Sequence, residues 1–170
     1  MDTGLLILRL AVGLTLVGHG TQKLFGWFGG YGLQGTGGFL EQLGFRPGAR
    51  AALMAGLTEA GGGALLALGL FTPLAATLLI AVMLVAIVTV HLSKGFFVSN
   101  GGYEYPLILA IAALTLAITG PGQISLDALL GTERAGLAWG IAAAALGTLG
   151  AGAQLLSRRT TQAAPASHAA

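Results

Sequence analysis

The sequence predicts an all-α polytopic membrane protein: a four-helix transmembrane bundle followed by a fifth, C-terminal apolar helix. Three observations carry this. Of the 170 residues, 55% are hydrophobic and 8% charged, where a soluble domain carries about a quarter charged residues. The mean hydropathy is +0.83. Apolar runs long enough to cross a bilayer (roughly 20 residues for a core of about 30 Å) recur between breaks marked by glycine and proline.

The first run is Leu5 to Phe28, LLILRLAVGLTLVGHGTQKLFGWF. It contains Arg9, His19 and Lys23, and an ionisable group inside a span needs a partner, a wet cavity or a snorkelling route. At about 100° per residue, Arg9, Leu16, His19, Gly20 and Lys23 share one face, and Leu6, Leu14, Val17 and Leu24 the opposite arc. The helix therefore turns lipid-facing leucines outward and a polar seam into the bundle. The run is too long, and too polar on that face, for a cleaved signal, so the helix is expected to stay attached.

The glycine-rich stretch GGYGLQGTGG reads as a break, and FLEQLGFRPG as a short amphipathic helix at the interface. The second span runs from about Ala49 to Leu70, with Glu59 near its middle and Gly61, Gly62 and Gly63 after it. Pro73 suits a helix start. The third span is Leu74 to about Ser93, ending with His91 and Lys94, and GFFVSNGG is a loop. The fourth, Tyr105 to Thr119, is short. GPGQISLDALLGTER is a loop with room for an interfacial helix, and Ala135 to Leu156 is the fifth apolar stretch. The domain reading is a four-helix membrane unit over 1–130, the fifth helix within 131–156, and a disordered polar tail over 157–170.

Glycine, at 29 residues, suits helices whose backbones pack closely in lipid. There is no cysteine, which excludes thiol chemistry and thiolate metal sites within the chain; no metal site is predicted. The net charge of +2 is too small to argue for nucleic acid.

The ends of the first and third spans are alike. One reads His19, Lys23, Phe25, Phe28, Gly29, Gly30, Tyr31; the other His91, Lys94, Phe96, Phe97, Gly101, Gly102, Tyr103. The likeness suggests two hairpins related as a parallel repeat. Alternating spans bring these ends to one membrane face, where the second and fourth spans begin. His19, Lys23, Glu59, His91, Lys94, Tyr103 and Glu104 are thus the candidates for a polar pocket open to that face, with Tyr103 or Tyr105 closing its mouth. Each also has an ordinary reading. Lysines snorkel at helix ends, and histidines bond backbone carbonyls. Glu59 has nowhere to snorkel, so it is either protonated or paired. Counting rise from the helix ends puts Arg9 about 8 Å from it along the membrane normal, which predicts a buried Arg9–Glu59 pair.

The segments RLAVGLTLVGHGTQKLFG, GGFLEQLGF, the Glu59-Ala-Gly-Gly stretch, NGGYEYPLIL and GPGQISLDALL resemble, in order, the DoxX family of small bacterial and archaeal membrane proteins. The resemblance implies a four-helix fold, making the fifth stretch an addition. It also implies a redox-linked role: the wider group includes membrane subunits of a thiosulfate:quinone oxidoreductase, and other members associate with complexes containing superoxide dismutase and a sulfurtransferase. Three functions stay open. One is a quinone-binding redox subunit in which His19, Lys23 or Glu104 bonds the quinone oxygens or moves protons. Another is a non-catalytic anchor or assembly partner for such soluble redox enzymes. The third is a small-solute or lipid transporter using Glu59. No catalytic residue is assigned. The expected location is the plasma membrane, multi-pass, with the pocket on the cytoplasmic side by the positive-inside rule.

Overall fold

The computed structural model describes residues 1–159, and the described residues form seven α-helices. These are α1 (Asp2–Phe25), α2 (Gly32–Gln42), α3 (Gly48–Leu68), α4 (Thr72–Ala86), α5 (Glu104–Thr119), α6 (Leu126–Leu130) and α7 (Leu137–Leu156). A π-type turn, Ile87–His91, and a 3-10 turn, Leu92–Lys94, carry α4 onward, so its membrane span is Thr72–Lys94. By length and composition α1, α3, the extended α4 and α7 can each cross a bilayer. At 16 residues, α5 rises about 24 Å, short of the hydrocarbon core.

Glycine on α1 meets glycine and alanine on α3. A Cβ at Gly13 would lie 2.5 Å from the Gly63 oxygen, and one at Gly63 would lie 2.5 Å from the Gly13 oxygen. Gly20 faces Gly56 and Ala60 with equally little room. In lipid no hydrophobic drive pulls helices together, and close backbone approach supplies the attraction instead. The seam also sets the antiparallel register: residue 13 stands opposite 63–67, and residue 20 opposite 56–60.

The apolar core lies where α4 packs on α5 and α7, around Leu79, Met83, Leu109, Leu116 and Ala143, with Leu16 and Leu66 joining from the α1–α3 pair. Outside it, Ile7, Leu14, Leu57, Leu74, Ile111, Ile141 and Leu149 are exposed. In water such a surface is an aggregation hazard; around a membrane bundle it is the lipid-facing coat.

Two departures from the sequence reading concern local structure. The stretch read as a glycine-rich break is the first half of α2. Its Gly37 is buried against the start of α3, with Gly48 and Ala49 as nearest neighbours, and that packing overrides glycine's poor helix propensity. Two residues of the predicted tail lie against the α2–α3 loop: Arg158 Nε donates to the Leu43 carbonyl at 2.9 Å and the Arg159 N–H to that of Gly44 at 2.8 Å. The rest of the tail lies outside the described residues. This contact puts the end of α7 on the face where α3 begins, as five crossings require.

Candidate functional site

Three polar clusters occupy the bundle where one was expected. The first joins α1, α3 and α5. Glu59 on α3 is 4% exposed, and its Oε2 lies 2.5 Å from Lys23 Nζ on α1. Side chains on a helix lean toward its N-terminus. Lys23, in the last turn of α1, therefore runs back into the membrane rather than out to the headgroups. His19, one turn earlier, has Nε2 3.2 Å from the hydroxyl of Tyr105, the second residue of α5, and the two rings are 5.9 Å apart. The Glu59 carboxylate acts electrostatically on Tyr105, which ties the two contacts into one group of four side chains from three helices. Lys23 also lines a groove of about 720 Å³ between α1 and α2, with Gln22, Tyr31, Gln34 and Phe39.

The second cluster is the α4–α5 loop bonding to itself. His91 Nδ1 is 2.7 Å from the Gly101 oxygen. Glu104 Oε2 accepts the Val98 N–H at 2.9 Å, Lys94 lies along Gly101, and Tyr103 packs edge-on against Phe96 at 5.4 Å. Glu104, a candidate for the pocket, forms no ion pair among the described residues and instead caps its own loop. The resembling ends of the first and third spans also follow different backbone courses. The α1 end is regular helix closed by left-handed Gly26, and the α4 end passes through the π and 3-10 turns.

The third cluster sits at the opposite end of the bundle, around Arg9. The predicted Arg9–Glu59 pair is absent. The seam sets Glu59 level with residue 19 or so, ten residues from Arg9, about 15 Å along the axis; counting from helix ends halved that separation. Arg9 is fully buried and its Nη2 donates to the Ile124 carbonyl. Its guanidinium lies so close to Gly69 that a Cβ there would overlap Nη1. Gly69 is left-handed as well, at φ 63, so the position demands glycine twice over. Asp127 is the carboxylate acting on Arg9 electrostatically. It accepts the N–H groups of Phe71 and Thr72, both at 3.0 Å, and the hydroxyls of Thr72 and Thr132, both at 2.9 Å. Burial raises the Asp127 pKa, but these four hydrogen bonds outweigh it and hold the carboxyl below its ordinary value. Asp127 thereby caps α4 from a distant loop. Reading the sequence missed it: one acid in the apolar string SLDALL looks like an interfacial helix and no more.

The aromatic side chains at this end of the bundle form an outward belt. Trp27, Phe28, Tyr31, Phe96 and Phe97 are exposed, in tilted or edge-on pairs such as Phe25–Trp27 at 5.1 Å and Phe96–Phe97 at 5.3 Å, as headgroup-level aromatics are.

Comparison with known proteins bears on this arrangement. The DoxX family model matches residues 4–92, from α1 to the end of the third span. The chain belongs to the DoxX family. Within the DoxX match fall His19, Lys23 and Glu59; Tyr105 and all of α5 to α7 lie beyond it. A Bacillus subtilis (strain 168) protein named "Putative oxidoreductase CatD" is 32% identical over 126 residues, 74% of this chain and 86% of that protein. An "Uncharacterized protein" of Haemophilus influenzae (strain ATCC 51907 / DSM 11121 / KW20 / Rd) is 36% identical over 66 residues, 39% of this chain and 44% of its own length. No solved structure matches.

Proposed function

We propose that this DoxX protein is an integral membrane subunit of a redox system, and that it binds a quinone headgroup beside Lys23. One observation carries the reading. A buried carboxylate–ammonium pair, Glu59–Lys23, borders a groove with aromatic residues on its wall. Inside a span such a pair is expensive unless it serves a site. The groove has room for a substituted benzoquinone ring, Tyr31 and Phe39 offer faces to stack on, and the Lys23 ammonium can donate to a ring oxygen.

Reduction of a quinone to a quinol takes two electrons and two protons. The two electrons come from a soluble reductase docked on the same face. The protons pass through Lys23, restored by way of the His19–Tyr105 contact. The relative named an oxidoreductase supports the redox part of this reading.

Six of the eight Lys and Arg residues (Lys23, Arg46, Arg50, Lys94, Arg158 and Arg159) belong to the face on which the groove opens. The positive-inside bias makes that face cytoplasmic in a plasma membrane.

Fluorescence of Trp27, two residues before Gly29 on the groove's wall, reports on the groove in a Trp139→Phe background. A short-chain quinone analogue titrated into the detergent-solubilised protein should quench it saturably. Lys23→Gln should weaken that binding about tenfold, the worth of one hydrogen bond to a charged donor. Linear, unsaturable quenching that is identical in the variant would refute the reading.

A further inference from the structure

Two depressions of opposite character meet on the same membrane face, behind α2. The first is polar, about 250 Å³, floored by the Leu43–Gly44 loop and edged by Arg46, Arg158, Arg159 and Glu41. Glu41 is already engaged, its Oε1 accepting the Gly48 N–H at 2.8 Å. Arg158 is held in place by the Leu43 carbonyl and lies 5.6 Å from the centre of the Phe45 ring. Among the described residues none of the three arginines pairs with a carboxylate. The second depression is an apolar groove of about 190 Å³ between α3, α4 and α7, walled by Met54, Thr58, Leu78, Val85 and Gly150 and closed at one end by Phe45.

The two are continuous. Phe45 lines the groove, while its neighbours Gly44 and Arg46 line the polar hollow; Gln154 lines the groove one helical turn before Arg158. Along α3 the groove runs from Ala51 to Thr58, about 10 Å from the face into the bilayer.

We propose that this is a binding site for one anionic diacyl phospholipid, its phosphate on Arg46, Arg158 and Arg159 and one acyl chain laid in the groove. The charge matches: three cations against one occupied carboxylate. The depth matches too, because the apolar part lies at hydrocarbon level, where lipid chains reach it and a soluble partner does not. Basic hollows between helix ends on the cytoplasmic side hold anionic headgroups by this chemistry. The apolar groove shares no lining residue with the groove beside Lys23, and the polar hollow shares only Gln42, which the phosphate site does not use, so this site stands whether or not the quinone reading does.

The test uses the full-length protein in vesicles of equal parts phosphatidylglycerol and phosphatidylcholine, released gently and weighed by native mass spectrometry. The wild type should retain one phosphatidylglycerol in preference to phosphatidylcholine. Arg46→Gln with Arg159→Gln should lower that preference, about fivefold for each charge removed. Gly150→Leu changes no charge. Its added Cβ would have Ala81 Cβ as its nearest neighbour, at 3.7 Å, so the side chain grows into open groove and should reduce retention of both lipids. Met54→Trp fills the groove from the α3 wall and serves if the Gly150 variant does not fold. Equal retention of the two lipids by the wild type overturns the proposal, as does unchanged retention in the groove-filling variants. Displacement of the lipid by glycerol 3-phosphate as readily as by phosphatidylglycerol overturns it too, and leaves a soluble-anion site only.

Discussion

Removing either end of the Lys23–Glu59 pair should destabilise the bundle, but unequally. Glu59 is 4% exposed and has no other partner among the described residues. In Lys23→Met its carboxylate is stranded in the membrane, and an uncompensated buried charge costs about 3–5 kcal/mol. Lys23 differs: its side chain is 28% exposed and lines an open groove. In Glu59→Gln the ammonium can turn into that groove, and the loss falls to that of one charge-assisted hydrogen bond, about 1.5–3 kcal/mol. Combining the two changes removes both charges and should cost less than the sum of the singles, with a coupling of about 1 kcal/mol or more. Arg9→Met combined with Glu59→Gln should instead be additive, because Arg9 sits at the other end of the bundle. Unfolding in dodecyl maltoside by titration with dodecyl sulfate, followed by tryptophan fluorescence, measures these four variants and Arg9→Met alone. If Glu59→Gln costs as much as Lys23→Met, or the Lys23–Glu59 singles simply add, then the reasoning from exposure and pairing is wrong.

Three further outcomes follow from the geometry. Gly63→Val places atoms where the Gly13 carbonyl already lies, 2.5 Å from the new Cβ, and should cost upward of about 1–3 kcal/mol by overpacking; the lipid-facing Gly61→Val should cost less than half as much in the same titration. Asp127 has a native pKa below its ordinary 3.8, so its contribution is whole above that pH and lost as pH falls through the lower native value; stability measured from pH 6 to pH 2 should drop in the wild type and drop less in Asp127→Asn. A reporter inserted in the Gly29–Gly38 segment should read as cytoplasmic and one beside Glu133 as external, and the reverse pattern would overturn the orientation.

Much of the architecture was legible because a bilayer leaves few choices. Apolar runs of the right length marked each span to within two or three residues, and a polar seam on α1 foretold which face turns inward: Arg9, Leu16 and Gly20 are buried. Pairing was not legible. Which residue of α1 stands beside Glu59 depends on the register of the glycine seam, and no count from helix ends contains that register. Tyr105 rather than Tyr103 joins His19 because the α4–α5 loop closes on itself, with the Tyr103 and Glu104 N–H groups bonded to the carbonyls of Gly95 and Phe96. Those bonds leave Glu104 facing Val98. Charge content alone foretells that an acid in a small loop needs partners; it does not say, as Asp127 does, that the partner is the start of another span.

The contact between α1 and α3 has a mechanical consequence. Where leucines separate two helices, a layer of rotatable side chains lets one helix tilt or turn against the other. Here Gly13 meets Gly63 and Gly20 meets Gly56 with no such layer, so neither rod can roll without one main chain striking the other. The pair is a single stiff plank, and the distance between the Cα atoms of Lys23 and Glu59 is fixed by it. Movement beside Lys23 is left to the swing of its four-carbon arm and to α2, which rests on the same plank through the small contact of Gly37 with Ala49.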